Sequence, residues 1–468
     1  MMEHSKSDFN EWYNEIIEEA GLVDKRYPVK GMNVWLPYGW AIARNIDEII
    51  RKLMFSSSHQ EVCFPLLIPK DQFAKEEEHI EGFGKEVFWV DRGGDTPLDI
   101  PLALRPTSET AMYPIFSLWI RTHADLPLKI FQIVNVFRYE TKQTRAFIRV
   151  REIHFFEAHT CHESFEDAEK QIREDLDIWE KFCEKMALPY MLNVRPDWDK
   201  FAGAYYSIAA DTIMPSGRPL QIGTMHQYKQ NFSKAYNIMF TREDGTRDYV
   251  YQTTFGISER IIGAIVGIHG DDRGLILPPE IAPIQIVIVP IVTEEKELVL
   301  REAKKLYEEI SKVFRSKLDD RENYTPGYKF YDWELKGVPL RIEIGPKDIK
   351  NNIITVSRRD TLKRSTVERD NYVEKIGIIL NEIQENMRKR AKEKMLDLIK
   401  ESKNLDEIKG HEGVDKISWC GSVDCAKKIE EYTGKWILGI PLNEKKEHGK
   451  CLVCGKETDI VCFVGKSY

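Results

Sequence analysis

The chain has 468 residues, 42% of them hydrophobic, and a formal net charge of -8 at pH 7. That length suits two to four packed domains and excludes wholesale disorder, while the acidic balance argues against a protein coated in nucleic acid without excluding local recognition. The longest apolar run, 281–292, is too short and too broken by Pro283, Gln285 and Pro290 to span a bilayer, and the acidic amphipathic start lacks the blocks of a secretory signal. A cytoplasmic protein with reduced cysteines is therefore expected.

In chain order, Trp12, Ile16, Ile17 and Ala20 predict an amphipathic helix over 9–20. A short strand and turn over 31–37 precede a second helix over 41–55, which presents Ile42, Ile46, Ile49, Ile50 and Leu53 on one side. It leads into a strand over 61–66 whose Pro65 removes a ladder donor and suits an edge. Such a helix and edge strand read equally well as a dimer surface or as a plain helix packed on a sheet. In LRPTSET, Arg105 and Pro106 turn the chain ahead of an apolar helix over 111–119. Thr107 and Glu109 can hold an ammonium or imino group between a hydroxyl and a carboxylate. On the residues alone the favoured reading is that Thr107 or Ser108 caps the helix.

Residues 131–160 read as two antiparallel strands rich in Val, Ile and Phe, joined by a turn-compatible loop. Arg138 and Glu140 stand near the end of the first run, and Arg149, Arg151, Glu152 and Glu157 are placed on the second. Between 141 and 151 there are four basic side chains and no acid. Arginines projecting inward beside carboxylates suit the grip of a polyphosphate next to a neutral polar group, although surface ion pairs explain the same pattern. In EAHTCHE, alternation sends His162 to the face opposite Glu157, His159 and Cys161, and the spacing matches no common metal pattern, so His159 reads as a pocket-lining residue.

A scaffold helix follows over 166–186, then DKFAGA and the alternating stretch LQIGTMH, in which Gln221 and Gly223 share one side if the strand is regular and Gly223 admits a close ligand or backbone. FGISER opens a helix over 261–267 with Arg260 in its first turn. A cation there opposes the helix dipole, so its place needs another reason, such as a phosphate or an aromatic base. Neither a P-loop nor a G-x-S-x-G elbow occurs.

Beyond Arg273 a proline-rich linker leads to a strand over 285–289, helices over 294–316 and 328–335, and strands over 340–344 and 353–356, a small α/β domain. Residues 341–364 hold seven basic and three acidic side chains. The tail carries Cys420-x4-Cys425 and Cys451-x2-Cys454. Four thiolates in two local pairs fit a tetrahedral structural zinc, with disulfides or reduced core thiols as the alternatives and Cys462 as a spare ligand.

FRYE with Arg149 and Glu157 resembles the second signature motif of class II aminoacyl-tRNA synthetases, GISER the third, and the helix and strand ending at Pro65 the first. Within that class, LRPTSET, DKFAGA, QIGTMH and KGVPLRIEIGPKD resemble the archaeal and eukaryotic type of prolyl-tRNA synthetase, from about Val29 to Tyr468. The resemblance implies an α+β protein with an antiparallel-sheet catalytic domain over 1–280. An α/β anticodon-binding domain over 281–385 follows, then a helical connection with a small zinc-binding α+β domain over 386–468. It implies attachment of L-proline to tRNA(Pro) through a prolyl-adenylate, with ATP as substrate, Mg2+ and structural Zn2+, in a homodimer.

Residue by residue, the resemblance makes Arg138 and Arg260 the catalytic cations. Arg138, Glu140, Arg149, Gln221, Thr224, Ser258 and Arg260 contact ATP. Thr107, Glu109, Arg138, Phe155, His159, Phe201 and His226 bind proline. Glu334, Arg341, Lys347 and Asp348 read the anticodon. One position departs from the class: Ile153 stands where a phenylalanine usually stacks on adenine. A silent synthetase-like regulator and a class II ligase for another small amino acid are the rival readings, the first disfavoured by the presence of Arg138, Glu109 and Arg260.

Overall fold

The computed structural model describes residues 4–72, 86–292, 295–442 and 447–468. Its centre is an antiparallel sheet in which Leu128–Phe137, Glu152–His162, Tyr251–Ser258, Pro219–Lys229, Tyr206–Ile213 and Met191–Val194 lie side by side. These strands are long and rich in β-branched and aromatic residues, which fit a pleated surface buried on one side.

Helices cover one face. Phe165–Met186 buries Ala168, Ile172, Trp179, Phe182 and Cys183 against the sheet, with Ser164 accepting from the Asp167 amide at its start. Pro37–Ser56 packs on that helix, and Phe9–Glu19 on Arg260–His269, where Trp12, Tyr13 and Ile16 are buried. Among the described residues no helix is long and apolar enough to cross a membrane. The opposite face of the sheet is left open as a cavity.

Several expectations need correction. The strand expected over 61–66 shrinks to Gln60–Glu61, which pairs in parallel with Ile130 and Phe131 at the sheet edge; Leu67–Pro69 joins a separate three-stranded sheet with Thr96–Leu104 and Trp89–Gly93. The second expected run of the central hairpin begins only at Glu152. Arg149 and Arg151 lie ahead of it, where Arg145 and Arg149 form an isolated bridge and Phe147 takes φ 61° to bury its ring. The helix expected over 294–316 spans Lys296–Ile310, its expected start at Glu294 lying outside the described residues. Beyond its end the Arg315 guanidinium donates to the carbonyls of Pro279, Glu280 and Ala282, and Ser316–Leu318 follows as an edge strand.

That strand belongs to a five-stranded mixed sheet with the order Ser316–Leu318, Ile286–Pro290, Leu340–Ile344, Ile353–Arg358, Arg364–Glu368. The first three run parallel and the rest antiparallel. Helix Tyr372–Asp397 then crosses back to the first sheet. There Trp436–Pro441 pairs with Met191–Val194 and brings Val461–Gly465, Val414–Ser418 and Ile399–Glu401 with it, so the C-terminal strands extend the central sheet into one continuous structure. Gly439 makes this junction possible: at φ 146° an added Cβ would lie 2.6 Å from the Val194 carbonyl oxygen.

Candidate active site

The cavity on the open face has a volume of about 440 Å³. Strand alternation supplies part of its wall. Ile153, Phe155, Glu157 and His159 project inward from Glu152–His162, as period two requires.

Pro219–Lys229 behaves differently. A bulge opposite Ala210 and Asp211, where Gly223 and Gln221 pair with successive residues, shifts the phase of the strand. Gln221, Thr224 and His226 consequently all face the cavity. The Cα–H bond of Gly223 that a side chain would replace points the other way: an added Cβ would lie 2.5 Å from Trp179 Cζ3, so this glycine lets the scaffold helix approach closely while its backbone borders the cavity.

Two carboxylates sit at the inner end. Thr107 Oγ1 donates to Glu109 Oε2, and Tyr228 OH donates to Glu109 Oε1 at 3.0 Å while accepting from Thr254 Oγ1 at 2.9 Å. Glu157 Oε1 accepts from Ser108 Oγ and, at 2.8 Å, from Gln132 Nε2. Its Oε2 lies 3.1 Å from His159 Nε2, whose other ring nitrogen meets Tyr113 OH at 3.1 Å. Burial opposes ionisation of both members of this pair. Burial is the largest single effect on each, but His159, Ser108 and Gln132 together outweigh it for Glu157, whose pKa is lowered, and the Glu157 hydrogen bond with the charges of Glu109 and Glu157 together outweigh it for His159, whose pKa is raised. Helix Glu109–Trp119 therefore starts without a side-chain cap, because Thr107 and Ser108 both spend their hydroxyls on cavity carboxylates.

His226 differs from His159. Burial, and next the nearby His159, pull its pKa down to about 3, so it is neutral at physiological pH. Its Nδ1 meets Ser207 Oγ at 2.8 Å, and its ring centroid lies 4.8 Å from Phe201 and 6.0 Å from the parallel ring of Tyr228. The result is a small apolar compartment with an anionic floor.

Cations gather on the outer side. Arg138 Nε donates to the Pro106 carbonyl at 3.3 Å; burial lowers its pKa, against the pull of Glu86, Glu109, Glu157 and Glu140. Arg149 Nη1 donates to Glu140 Oε2 at 2.8 Å. Burial pushes the Glu140 carboxyl up, but the Lys142 N–H and Arg149 outweigh it and the net shift is downward. Arg260 opens helix Arg260–His269, donating from Nε to the Ile148 carbonyl at 2.8 Å and from its backbone N–H to Ser258 Oγ at 3.4 Å. Burial, then repulsion from Arg138 and Arg149, draw Arg260 down to about 10, so it stays charged at neutral pH. Arg149 is paired with Glu140, but Arg138 and Arg260 make no side-chain ion pair among the described residues, and crowding the three guanidiniums around one cavity is costly unless an anion joins them. Ile153 completes this end with an aliphatic wall.

Sequence reasoning missed Ser108, Gln132, Tyr113, Tyr228, Thr254 and Arg195. Tyr228 was within reach, since it lies two residues past His226 on the same strand. Gln132 and Arg195 carry no local signal: each earns its place through a partner distant in sequence.

At the other end of the molecule the sulfurs of Cys420, Cys425, Cys451 and Cys454 all lie within 4.8 Å of one another. Cys420 is 3.6 Å from Cys425 and 3.8 Å from Cys454. Tetrahedral zinc with bonds of ~2.3 Å requires sulfur separations of roughly 3.8 Å, so the donor set fits that ion, and no disulfide links these cysteines. Cys462 is buried outside this group, in Val461–Gly465.

In the mixed sheet, Arg341 donates from Nη1 to Glu334 Oε1 at 2.9 Å and from Nη2 to Glu343 Oε1 at 3.1 Å, with its guanidinium 3.9 Å from the Phe330 ring centroid. Asp348 accepts from the Gly345 N–H and from Thr355 Oγ1, and Lys347 beside it is exposed.

The antiparallel sheet with inward arginines on its motif segments defines a class II aminoacyl-tRNA synthetase. Residues 88–269 match the tRNA synthetase class II core domain (G, H, P, S and T), 285–377 an anticodon binding domain, and 404–468 the prolyl-tRNA synthetase C-terminal domain. The chain is 54% identical to the proline–tRNA ligase of Pyrococcus abyssi over 98% of both chains. It is also similar to Giardia lamblia prolyl-tRNA synthetase in complex with prolyl-adenylate (TM-score 0.96, 35% identity, 99% of each chain covered). The Cryptosporidium parvum prolyl-tRNA synthetase complexed with halofuginone and AMPPNP matches with a TM-score of 0.94 at 33% identity, covering 100% of this chain and 99% of that one. The chain belongs to the proline–tRNA ligase family.

Proposed function

We propose that the cavity makes prolyl-adenylate from L-proline and ATP and then transfers the prolyl group to the terminal ribose of tRNA(Pro). The observation that carries this reading is the division of one cavity into an apolar compartment with a carboxylate floor, Glu109 beside Thr107, and a cationic rim of Arg138, Arg149 and Arg260. A cyclic zwitterion fits the first and a triphosphate the second.

The secondary amine of proline is held by Thr107 and Glu109, its ring by Phe155, Phe201, His226 and the side of His159. Its carboxylate lies toward Arg138 and attacks the α-phosphorus in line; pyrophosphate leaves and an acyl phosphate ester forms. Arg138 and Arg260 meet the charge that develops on the phosphate oxygens, so catalysis rests on orientation and electrostatics with no nucleophilic side chain. Arg149 holds the outer phosphates. Glu140, Gln221, Thr224 and Ser258 contact the nucleotide, and the aliphatic Ile153 covers adenine in place of a ring. In the second step the tRNA ribose hydroxyl attacks the prolyl carbonyl and AMP leaves.

Magnesium enters with ATP. It would offset phosphate charge there, and among the cavity carboxylates Glu109, Glu140 and Glu157 are already held by protein donors. The four cysteines hold zinc as a structural ion. Glu334, Arg341, Lys347 and Asp348 read the anticodon, Arg341 by exchanging Glu334 or Glu343 for guanine acceptors. The enzyme works as a cytoplasmic homodimer through helix Pro37–Ser56 and the adjoining edge, with catalytic, anticodon-binding and zinc-binding domains divided near residues 280 and 385.

Amino-acid-dependent exchange of pyrophosphate into ATP, run over a panel of amino acids, tests the reading. Exchange with proline is expected. Exchange only with another amino acid refutes the specificity, and exchange with none favours a silent regulator. Arg138→Ala should abolish exchange while tRNA binding persists; near-normal exchange by that variant removes the mechanism.

A further inference from the structure

The strand Met191–Val194 is the seam at which the C-terminal sheet joins the catalytic sheet, and Arg195 follows it directly. Its side chain is 8% exposed and borders the cavity. The guanidinium reaches four separate segments of the chain. Nη1 donates to the Leu438 carbonyl on the C-terminal strand Trp436–Pro441. Nη2 donates to Asp211 Oδ1 at 2.7 Å and to Gln221 Oε1 at 3.2 Å. Nε lies 3.7 Å from Asp199 Oδ2, in the segment that carries Phe201. Asp211 is itself held, accepting from Asn193 Nδ2 at 2.9 Å.

A guanidinium offers only donors, so whichever Gln221 amide atom faces it must be the carbonyl oxygen. The Gln221 NH2 is thereby left for the cavity. A glutamine without that partner can present either end, and half of its orientations aim an acceptor at a nucleotide that is rich in acceptors.

We infer that Arg195 is a positioning residue for nucleotide binding: it locks the Gln221 amide with its donors facing the cavity, and it does so from a perch fixed by the C-terminal domain. The inference rests on the assignment of Gln221 to the nucleotide. The C-terminal domain thus acts as part of the wall of the active site, since the Leu438 carbonyl and the Val194 seam set where Arg195 stands. Arg195 touches no reacting atom.

The test uses full-length enzyme in pyrophosphate exchange, with ATP and proline varied separately. Arg195→Lys keeps a cation for Asp211 but has too few donors in fork geometry to reach Leu438, Asp211 and Gln221 together. We expect its KM for ATP to rise about tenfold with kcat changed less than about threefold. Gln221→Glu keeps the contact to Arg195 and removes the N–H donors, and it should raise the KM for ATP by a similar factor. The double variant should be no worse than the weaker single one, because both remove the same interaction.

Gln221→Glu tests the donor contact on which the inference depends even if Arg195→Lys folds poorly, and the role of Arg195 itself is read from Arg195→Lys and the double variant. An unchanged KM for ATP in Gln221→Glu, or additive effects in the double variant, overturns the inference. Failure of the wild-type enzyme to exchange with proline overturns the assignment of function instead, and the two results are separable in one assay.

Discussion

Glu109→Gln isolates the electrostatic half of amino-acid recognition. Glu109 is 3% exposed and its two oxygens accept from Thr107 and Tyr228. Glutamine is nearly isosteric, and both hydroxyl partners can rotate to serve one carbonyl and one amide, so the fold should lose no more than ~1 kcal/mol. What disappears is the negative charge that, on the proposed reading, meets the prolyl ammonium. Losing one member of a buried charged hydrogen-bonded pair costs about 2–4 kcal/mol. At 1.36 kcal/mol per factor of ten, that is a fall of roughly 30- to 900-fold in kcat/KM for proline. The KM for ATP should move by less than about threefold, since the cationic rim is untouched. Steady-state exchange with each substrate varied in turn measures both numbers, and a thermal melt checks the fold. A fall below about fivefold in a folded variant would refute the view that Glu109 is the counter-ion of the substrate amine.

Other expectations bear on stability, metal and tRNA. Burial raises the Asp175 carboxyl to about 8, with Gln171 Nε2 donating to it at 2.8 Å. A raised acid pKa means that the native state holds a proton the unfolded chain has already lost. Its contribution is complete below the unfolded value near 4 and is lost as pH rises toward 8, a change on the order of 5 kcal/mol. Asp175→Asn should therefore raise the urea midpoint at pH 8 and leave it nearly unchanged at pH 4.5; equal shifts at both pH values would show that ionisation is not the cause. Metal analysis should find about one zinc per chain. Chelation should speed amide exchange in Val461–Gly465 more than in Tyr251–Ser258, and the absence of stoichiometric zinc would sink the site. Arg341→Ala should raise the KM for tRNA about 10- to 100-fold while tRNA-independent exchange is unaffected, from the ~1–3 kcal/mol typical of a bidentate base contact. Unchanged tRNA charging would remove Arg341 from the anticodon site.

The parts of the site that obey a period were legible from the chain. Phe155, Glu157 and His159 follow strand alternation, the scaffold helix at Phe165–Met186 follows the 3.6-residue repeat, and the four cysteines converge as their spacing implied. Arg260 was flagged because a cation in a first helical turn needs an external reason. The structure adds the repulsion of Arg138 and Arg149 to that cost, so the need for an anion at this end of the cavity is sharpened. The helix-capping reading of Thr107 and Ser108 failed because both hydroxyls donate to buried carboxylates, and a hydrogen bond to an ionised carboxylate is stronger than one from a neutral backbone N–H.

What stayed hidden is phase. A regular strand would place Gln221 with Gly223 and send Thr224 and His226 to the helices, dividing the nucleotide contacts from the amino-acid wall. One inserted residue reverses that phase, because the side-chain period is two and any single-residue slip flips every later side chain. Gln221 then faces the cavity from before the bulge, and Thr224 and His226 from after it. The bulge lies opposite Ala210 and Asp211, and Asp211 anchors the same Arg195 that holds Gln221. The phase shift, the seam with the C-terminal sheet and the orientation of the Gln221 amide are thus one structural arrangement. Its members are drawn from four strands separated by up to more than two hundred residues, which is why no local pattern announces it.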